Sequence, residues 1–263
     1  LSAAELVHHY TSIGALASIL RHRTIRFSRL NTLDDTEEEQ RVGDYDFGAK
    51  LFASCWVEED VEDIAQWAMY GHAMKGVRLS LPRQPFALVP KFGPTHILPT
   101  ELFFDGYSLL PDSDNDDDFI REVVYVDDVH AEYLKRVQVH ANGDCAISGR
   151  HTDLATFKHT RWSFQREVRF ILHAMLSPAG CKDHAEWHQK FLEIAGSFRW
   201  RYGGPDTPFI DLPIAKSALE KAEIVLGPLC DNSDQLIVES LSATLAPTAR
   251  IRSSQLTGLI RNR

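Results

Sequence analysis

The segment RWSFQREVRFILHAML, residues 161–176, constrains this chain more than any other. From Phe170 to Leu176 only His173 interrupts the apolar run, which predicts a strand buried on both faces in the interior of a sheet. Its first half is different. A period of two puts Gln165, Glu167 and Arg169 on one face and Phe164, Val168 and Phe170 on the other. Charged groups turned inward on a central strand cost several kcal/mol unless they are paired. Glu167 and Arg169 therefore either neutralise each other or serve a ligand, and both readings stay open.

The amino-terminal stretch LVHHYTSIGALASILRHRTIRFSRL poses a related question. Residues 6–12 and 24–30 read as short strands, and between them Ile13, Leu16, Ile19 and Leu20 recur at helical spacing. The strands carry two adjacent histidines, then Tyr10 and Thr11, and later Arg26 and Ser28. Arg26 and Ser28 share a strand face, where they can meet a phosphate or ribose or serve structure alone. Arg21 and Arg23 lie where a helix C-terminus favours cations and read as structural.

Beyond these elements, residues 31–46 are acidic and turn-rich, which predicts a solvated loop. KLFASCWVEE reads as a strand, DIAQWAMYGHAM as a helix ending near a left-handed Gly76, and GVRLSLP as a strand. Trp67 and Tyr70, three apart, can point in one direction on that helix, although a core aromatic stripe is the plainer explanation. THILPTELFF and REVVYVD read as strands on either side of a flexible loop at 111–118, followed by helices near 131–141 and 153–163. The remainder predicts helices at 183–195 and 232–245 and strands near 208–214, 223–227 and 249–253. With no internal repeat and no Pro/Gly-rich linker, residues 1–263 read as one α+β domain.

At 263 residues and 44% hydrophobic, the chain can bury a large core, and its net charge of -9 disfavours nonspecific binding to phosphate backbones. Cys55, Cys145, Cys181 and Cys230 form no C-x-x-C pair, which fits free thiols in a reducing cytoplasm. No apolar run is long enough to span a membrane, and the start lacks a signal-peptide pattern, so a cytoplasmic protein is expected. HAEWH spaces His184 and His188 one helical turn apart, but Glu186 sits midway between them and not in the zinc-protease order. DSDNDDD begins like a calcium loop, yet Asp117 and Val123 stand where glycine and glutamate are required. No metal is therefore expected. G-x-S-x-G, phosphate-loop and G-x-G-x-x-G signatures are absent as well.

Six short motifs occur in a familiar order: H-Y-T-S at 9–12, R-F-S at 26–28, W-x-x-Y-G with K-G-V at 67–77, W-x-x-Q-x-E-x-R at 162–169, L-G-P at 226–228 and I-x-S-S-x-L at 251–256. The chain thereby resembles the bacterial domain-of-unknown-function family 2971 over nearly its whole length. It departs from that pattern where Asp34-Asp35-Thr36 replaces Asn-Asp-Pro and where Gln165 replaces the first glutamate of W-x-x-E-x-E-x-R.

The motif order is in turn similar to ADP-ribosyltransferases of the His-Tyr-Glu type. That similarity implies mixed and antiparallel sheets split around a cleft with flanking helices, and NAD as substrate. It implies catalytic parts for Glu167, Tyr70 and Arg169, and a cofactor-binding set of His9, Tyr10, Thr11, Arg26, Ser28 and Trp67. Glu167 would hold the nicotinamide ribose, His9 the adenosine ribose and Arg26 the pyrophosphate. Tyr70, or failing it Tyr10, would stack on nicotinamide, with Ser28 and Arg169 supporting Glu167. The expected activity is ADP-ribosyl transfer or NAD hydrolysis by a toxin or phage-defence effector, with a protein, nucleic acid or small nucleotide as acceptor and an antitoxin or immunity protein as a further partner. A non-catalytic module that binds a nucleotide or a partner, and a metal-independent nuclease using His9 and Arg26, are the alternatives.

Overall fold

Ser12 separates the first strand from the first helix by capping it: its hydroxyl accepts from Ala15 N at 3.1 Å, satisfying a donor that a helix start leaves without an intrahelical partner. This gives β1 (Leu6–Thr11), α1 (Ile13–His22) and β2 (Thr24–Arg29), with Leu16 and Leu20 of α1 buried against the sheet. The helix ends at Arg23 in the left-handed region, with Arg21 and His22 in its last turn. The computed structural model describes residues 6–38, 40–87, 89–90, 96–97, 105–110 and 120–261.

The main sheet continues with β3 (Leu51–Val57), β4 (Val77–Pro82), β5 (Asp105–Leu110), β6 (Ile120–Glu122), β7 (Glu167–Ala179), β8 (Phe209–Pro213), β9 (Glu223–Leu226) and β10 (Arg250–Ser253). Helices α2 (Ile64–Met69), α3 (Val129–Arg136), α4 (His184–Ile194) and α5 (Asn232–Leu245) lie between them in sequence. The ten strands run β6-β7-β3-β1-β4-β9-β10, with β5 added to β7 and β2 joining β3 to β8. Within this sheet, among the described residues, only β9 and β10 pair in parallel, which the crossover helix α5 between them allows. The architecture is α+β, as the element order predicts.

β7 occupies the interior position that its apolar run requires, with β3 along one edge and β6 and β5 along the other. Val168, Phe170 and Leu172 join Val7, Leu79, Leu81 and Ile224 in one core. Ile171 faces a second core with Leu51, Tyr133 and Phe157.

The opposite edge of β3 is shared by two strands that diverge. β1 touches it only at His8 opposite Val57, whereas β2 pairs through Ser28 opposite Ala53 and Arg29 opposite Phe52. Between them, Ser54, Cys55 and Trp56 have no strand partner on that edge among the described residues. The sheet is therefore split there, and a cleft opens at the split.

Several local expectations differ from the structure. The helix expected at 153–163 is two 3-10 turns, His151–Ala155 and Thr160–Gln165, around a short strand Phe157–His159 that pairs in parallel with Val124–Val126. Tertiary pairing overrides helical spacing there. The helix near 131–141 stops at Arg136, because 137–139 pairs with 145–147 as a hairpin. Helix α2 ends at Met69, and the left-handed residues are His72, Ala73 and Met74. Gly76 instead serves close packing, since a Cβ there would lie 2.1 Å from Thr11 O. The acidic segment 31–46 is not a solvated loop: Asp35 and Glu38 are buried. The loop at 111–118 lies outside the described residues, as does most of THILPTELFF.

Candidate functional site

The split exposes a cavity of about 340 Å³, at the lower end of the roughly 300–1,000 Å³ typical of small-molecule sites. His9, Tyr10, Arg26, Ser28, Tyr70, Glu167 and Arg169 line it, joined by Asp34, Cys55, Gln66, Lys158 and Gln165. Thr11 and Trp67 lie outside. Thr11 closes the end of β1 against Gly76. Trp67 is wholly buried, edge-on to Tyr10 at 4.8 Å, with Nε1 donating to Glu62 at 3.0 Å. Tyr70, the C-cap of the helix, packs at the edge of the cluster that holds Trp67, and only Tyr70 of the two also lines the cavity. The Tyr10 ring belongs to that same buried cluster.

His9 turns into the gap between β1 and β3, where its Nδ1 lies 2.9 Å from Cys55 O. A carbonyl oxygen can only accept, so Nδ1 carries the proton. Burial lowers the His9 pKa, partly offset by that carbonyl. The ring is neutral near pH 7, and its Nε2 is left as an acceptor.

Glu167 begins β7 with a side chain 6% exposed. Its Oε1 takes Arg169 Nε at 2.5 Å and its Oε2 takes Lys158 Nζ at 3.1 Å. Arg169 is fully buried and reaches on to Glu38, with Nη2 to Oε1 at 2.9 Å and Nη1 to Oε2, and to Ala155 O at 2.8 Å. Lys158 closes the ring at 3.2 Å from Glu38. Two carboxylates and two cations thus balance in a buried cluster. Burial pushes the Glu167 pKa up, but Arg169 and Lys158 outweigh it and hold the carboxyl at about 2. The pair is closed, as one of the two readings has it, and the carboxylate also borders the cavity. Cys55, beside it, has its pKa pushed well up by burial and by the Glu167 charge, so it stays a thiol.

Gln165 is not on the strand, because Arg166 in the left-handed region separates the 3-10 turn from β7. Phe164, expected on the apolar face, is 41% exposed. Gln165 still reaches the cavity. Its Nε2 donates to Tyr70 Oη, which in turn donates to Asp34 Oδ2 at 2.7 Å. Burial and the Asp34 carboxylate both raise the Tyr70 pKa. Gln165 is 2% exposed, and its Oε1 has no hydrogen-bond partner among the described residues. Buried polar atoms are nearly always paired, so this acceptor beside the cavity is an exception.

Arg26, at the open end, makes a bidentate pair with Asp211 at 2.9 Å and stacks on Phe209. It is more than half exposed, so that pair is weak and can exchange for another anion.

Sequence reasoning missed Lys158, Glu38, Asp34 and Gln66. The only signal available for them was a lysine in a short apolar strand and the Asp34-Asp35 departure. Among the described residues, no group of three or more His, Cys, Asp or Glu side chains is placed to hold a metal ion. The chain matches no family model, and comparison with curated proteins and solved structures gives no match.

Proposed function

We propose that this protein cleaves the nicotinamide–ribose bond of NAD in the cavity at the split of the sheet, passing ADP-ribose to an acceptor or to water. The observation that carries this reading is the convergence of His9, Arg26, Ser28, Tyr70 and Glu167, from four separate elements, on one cavity. The resemblance in motif order to ADP-ribosyltransferases of the His-Tyr-Glu type implies the same parts for these residues.

The chemistry follows from charge. When the C1′–N bond breaks, its electron pair leaves with nicotinamide and the ribose becomes an oxocarbenium-like cation. Glu167, ionised at any ordinary pH, faces that cation and stabilises it. With a pKa of about 2 it is too weak a base to take a proton, so the acceptor's proton leaves to solvent as the acceptor bonds to C1′. A carboxylate keeps lone pairs beyond those that Arg169 and Lys158 use, so Glu167 can also accept from a ribose hydroxyl. His9 Nε2 accepts from the other ribose, and Arg26 exchanges Asp211 for the pyrophosphate. Each cation lining the cavity is paired with a carboxylate, and Asp34 adds a further acid. That balance suits a developing cation and disfavours the anionic transition state of phosphodiester cleavage.

The test is nicotinamide release from NAD, with candidate acceptors present and absent. Release by the native chain, reduced about 10²–10³-fold in Glu167→Gln at an unchanged folded fraction, is expected. No nicotinamide and no ADP-ribosylated product would overturn catalysis. Calorimetric binding of NAD without turnover would assign the cavity to a nucleotide sensor instead.

A further inference from the structure

The two adjacent histidines of β1 serve opposite faces of the sheet. The row His9, Leu79, Ile224, Ile251 runs across β1, β4, β9 and β10, and its Leu79 and Ile224 belong to the apolar core. The neighbouring row, on the other face, is polar (His8, Ser80, Glu223, Arg250), and the next, Tyr10, Arg78, Val225, Arg252, alternates residues packed around Trp67 with arginines. Over this face lies a second, larger cavity of about 860 Å³, bordered by His8, Asp60, Lys221, Glu223, Arg250 and Arg252.

Its floor is built and buried, and it is incompletely satisfied. His8 is 1% exposed, and its Nδ1 is 2.8 Å from Ser80 Oγ. His8 Nε2 has no hydrogen-bond partner among the described residues, and Asp60 Oδ1 is 3.9 Å away. Arg78, fully buried beside it, spends Nη1 and Nη2 on Asp60 at 2.8 and 2.9 Å and leaves Nε without a partner. Buried polar atoms are nearly always paired, so the orphaned His8 nitrogen at the border of this cavity points to a ligand.

The spare capacity is for an anion. Of the three carboxylates that border it, Asp60 is held by Arg78, Glu223 by Arg252 at 2.9 Å, and the exposed Glu220 faces Lys216 at 3.9 Å. Lys221 and Arg250 stand exposed at the rim with no carboxylate at ion-pair distance among the described residues. Burial, with Arg78 next, keeps His8 neutral, its pKa lowered to about 4. When Ser80 Oγ–H donates to Nδ1, Nε2–H becomes a donor on the side of the ring that faces Asp60 at the cavity border. We infer that this cavity is a second ligand site, distinct from the cleft at the split, that takes a phosphate-bearing small molecule on His8 Nε2–H, Lys221 and Arg250.

The experiment titrates the full chain with inorganic phosphate and follows the His8 ring nitrogens by long-range ¹H–¹⁵N spectra. A saturable shift of His8 Nε2 is expected, weakened about tenfold or more in the Lys221→Ala/Arg250→Ala variant and unaltered by Tyr70→Phe in the other cavity. Both replaced residues are exposed, so an unchanged denaturation midpoint shows that the variant folds. Tighter binding of ribose 5-phosphate than of inorganic phosphate marks a phosphomonoester as the ligand, and equal binding marks free phosphate. Absence of a saturable shift up to about 50 mM, the same shift with chloride, or an undiminished response in the double variant overturns the inference.

Discussion

Replacing Glu167 tests the buried charge cluster as well as the chemistry, and the two effects separate in a double-mutant cycle with Lys158. In Glu167→Gln the cluster keeps Glu38, Arg169 and Lys158 and carries one uncompensated positive charge; in Lys158→Met it carries one uncompensated negative charge. Leaving a buried charge without its partner costs about 3–5 kcal/mol. The lowering of the Glu167 pKa from 4.5 to about 2 gives a consistent figure, roughly 3 kcal/mol at about 1.4 kcal/mol per pH unit. The double variant restores neutrality around an intact Glu38–Arg169 pair, so its loss should fall below the sum of the single losses by about 2–3 kcal/mol. Equilibrium urea denaturation of the four proteins at pH 7 reads this directly. Losses that add to within about 0.5 kcal/mol would refute the cluster as a coupled unit. The double variant also serves the enzymology: it keeps the fold and lacks the carboxylate, so its expected failure to release nicotinamide reports chemistry alone.

Arg26→Ala should leave stability within about 1 kcal/mol, because its exposed pair with Asp211 contributes little, while raising the KM for NAD about 10-fold or more through loss of a charge-assisted phosphate contact; steady-state kinetics beside a denaturation curve show both. Tyr70→Phe removes the bond to Asp34 and the acceptor for Gln165, and should cost about 1–3 kcal/mol by denaturation, because Gln165 is buried. Acid should destabilise the protein progressively. His8 and His173 have folded pKa values near 4 and 3 against 6.5, so the unfolded chain binds their protons first; stability present above pH 6.5 is lost as pH falls toward those values, and Glu167 adds its own loss below 4.5. Denaturation midpoints between pH 7 and 4 should fall steadily, and a flat profile would count against burial of the two histidines in neutral form.

Much of this was legible in sequence where one physical signal acts alone. The helix at 232–245 has its own capping acid in Asp231, and the strand beginning at Glu167 has its apolar run; both lie where periodicity puts them. The signal fails where distant pairing decides. Lys158 sits in a segment whose spacing suits a helix, yet the backbone is extended because Val124–Val126 offers a parallel partner. Glu38 looks solvated among its acidic neighbours, but Arg169 and Lys158 draw it inside. Trp67 and Tyr70 adjoin in one cluster, as their spacing suggests, but the spacing gives no sign that only Tyr70, at the edge of that cluster, reaches the cavity.

These misses share a cause, and it bears on how the cleft is made. A sheet that ran unbroken from β3 through β1 or β2 would satisfy the Ser54–Trp56 edge with backbone bonds and seal the cavity. The split leaves that edge to be satisfied by side chains, as His9 does at the Cys55 carbonyl. A polar strand face beside such an edge is stable only if its charges are balanced from elsewhere, which is the part that Glu38 and Lys158 play for Glu167 and Arg169. The residues that close the charge cluster are therefore a condition for the cleft to exist, and they come from segments with no local reason to be buried. Substitutions at Glu38 should for that reason impair the cavity as severely as substitutions at Glu167, though Glu38 does not line it.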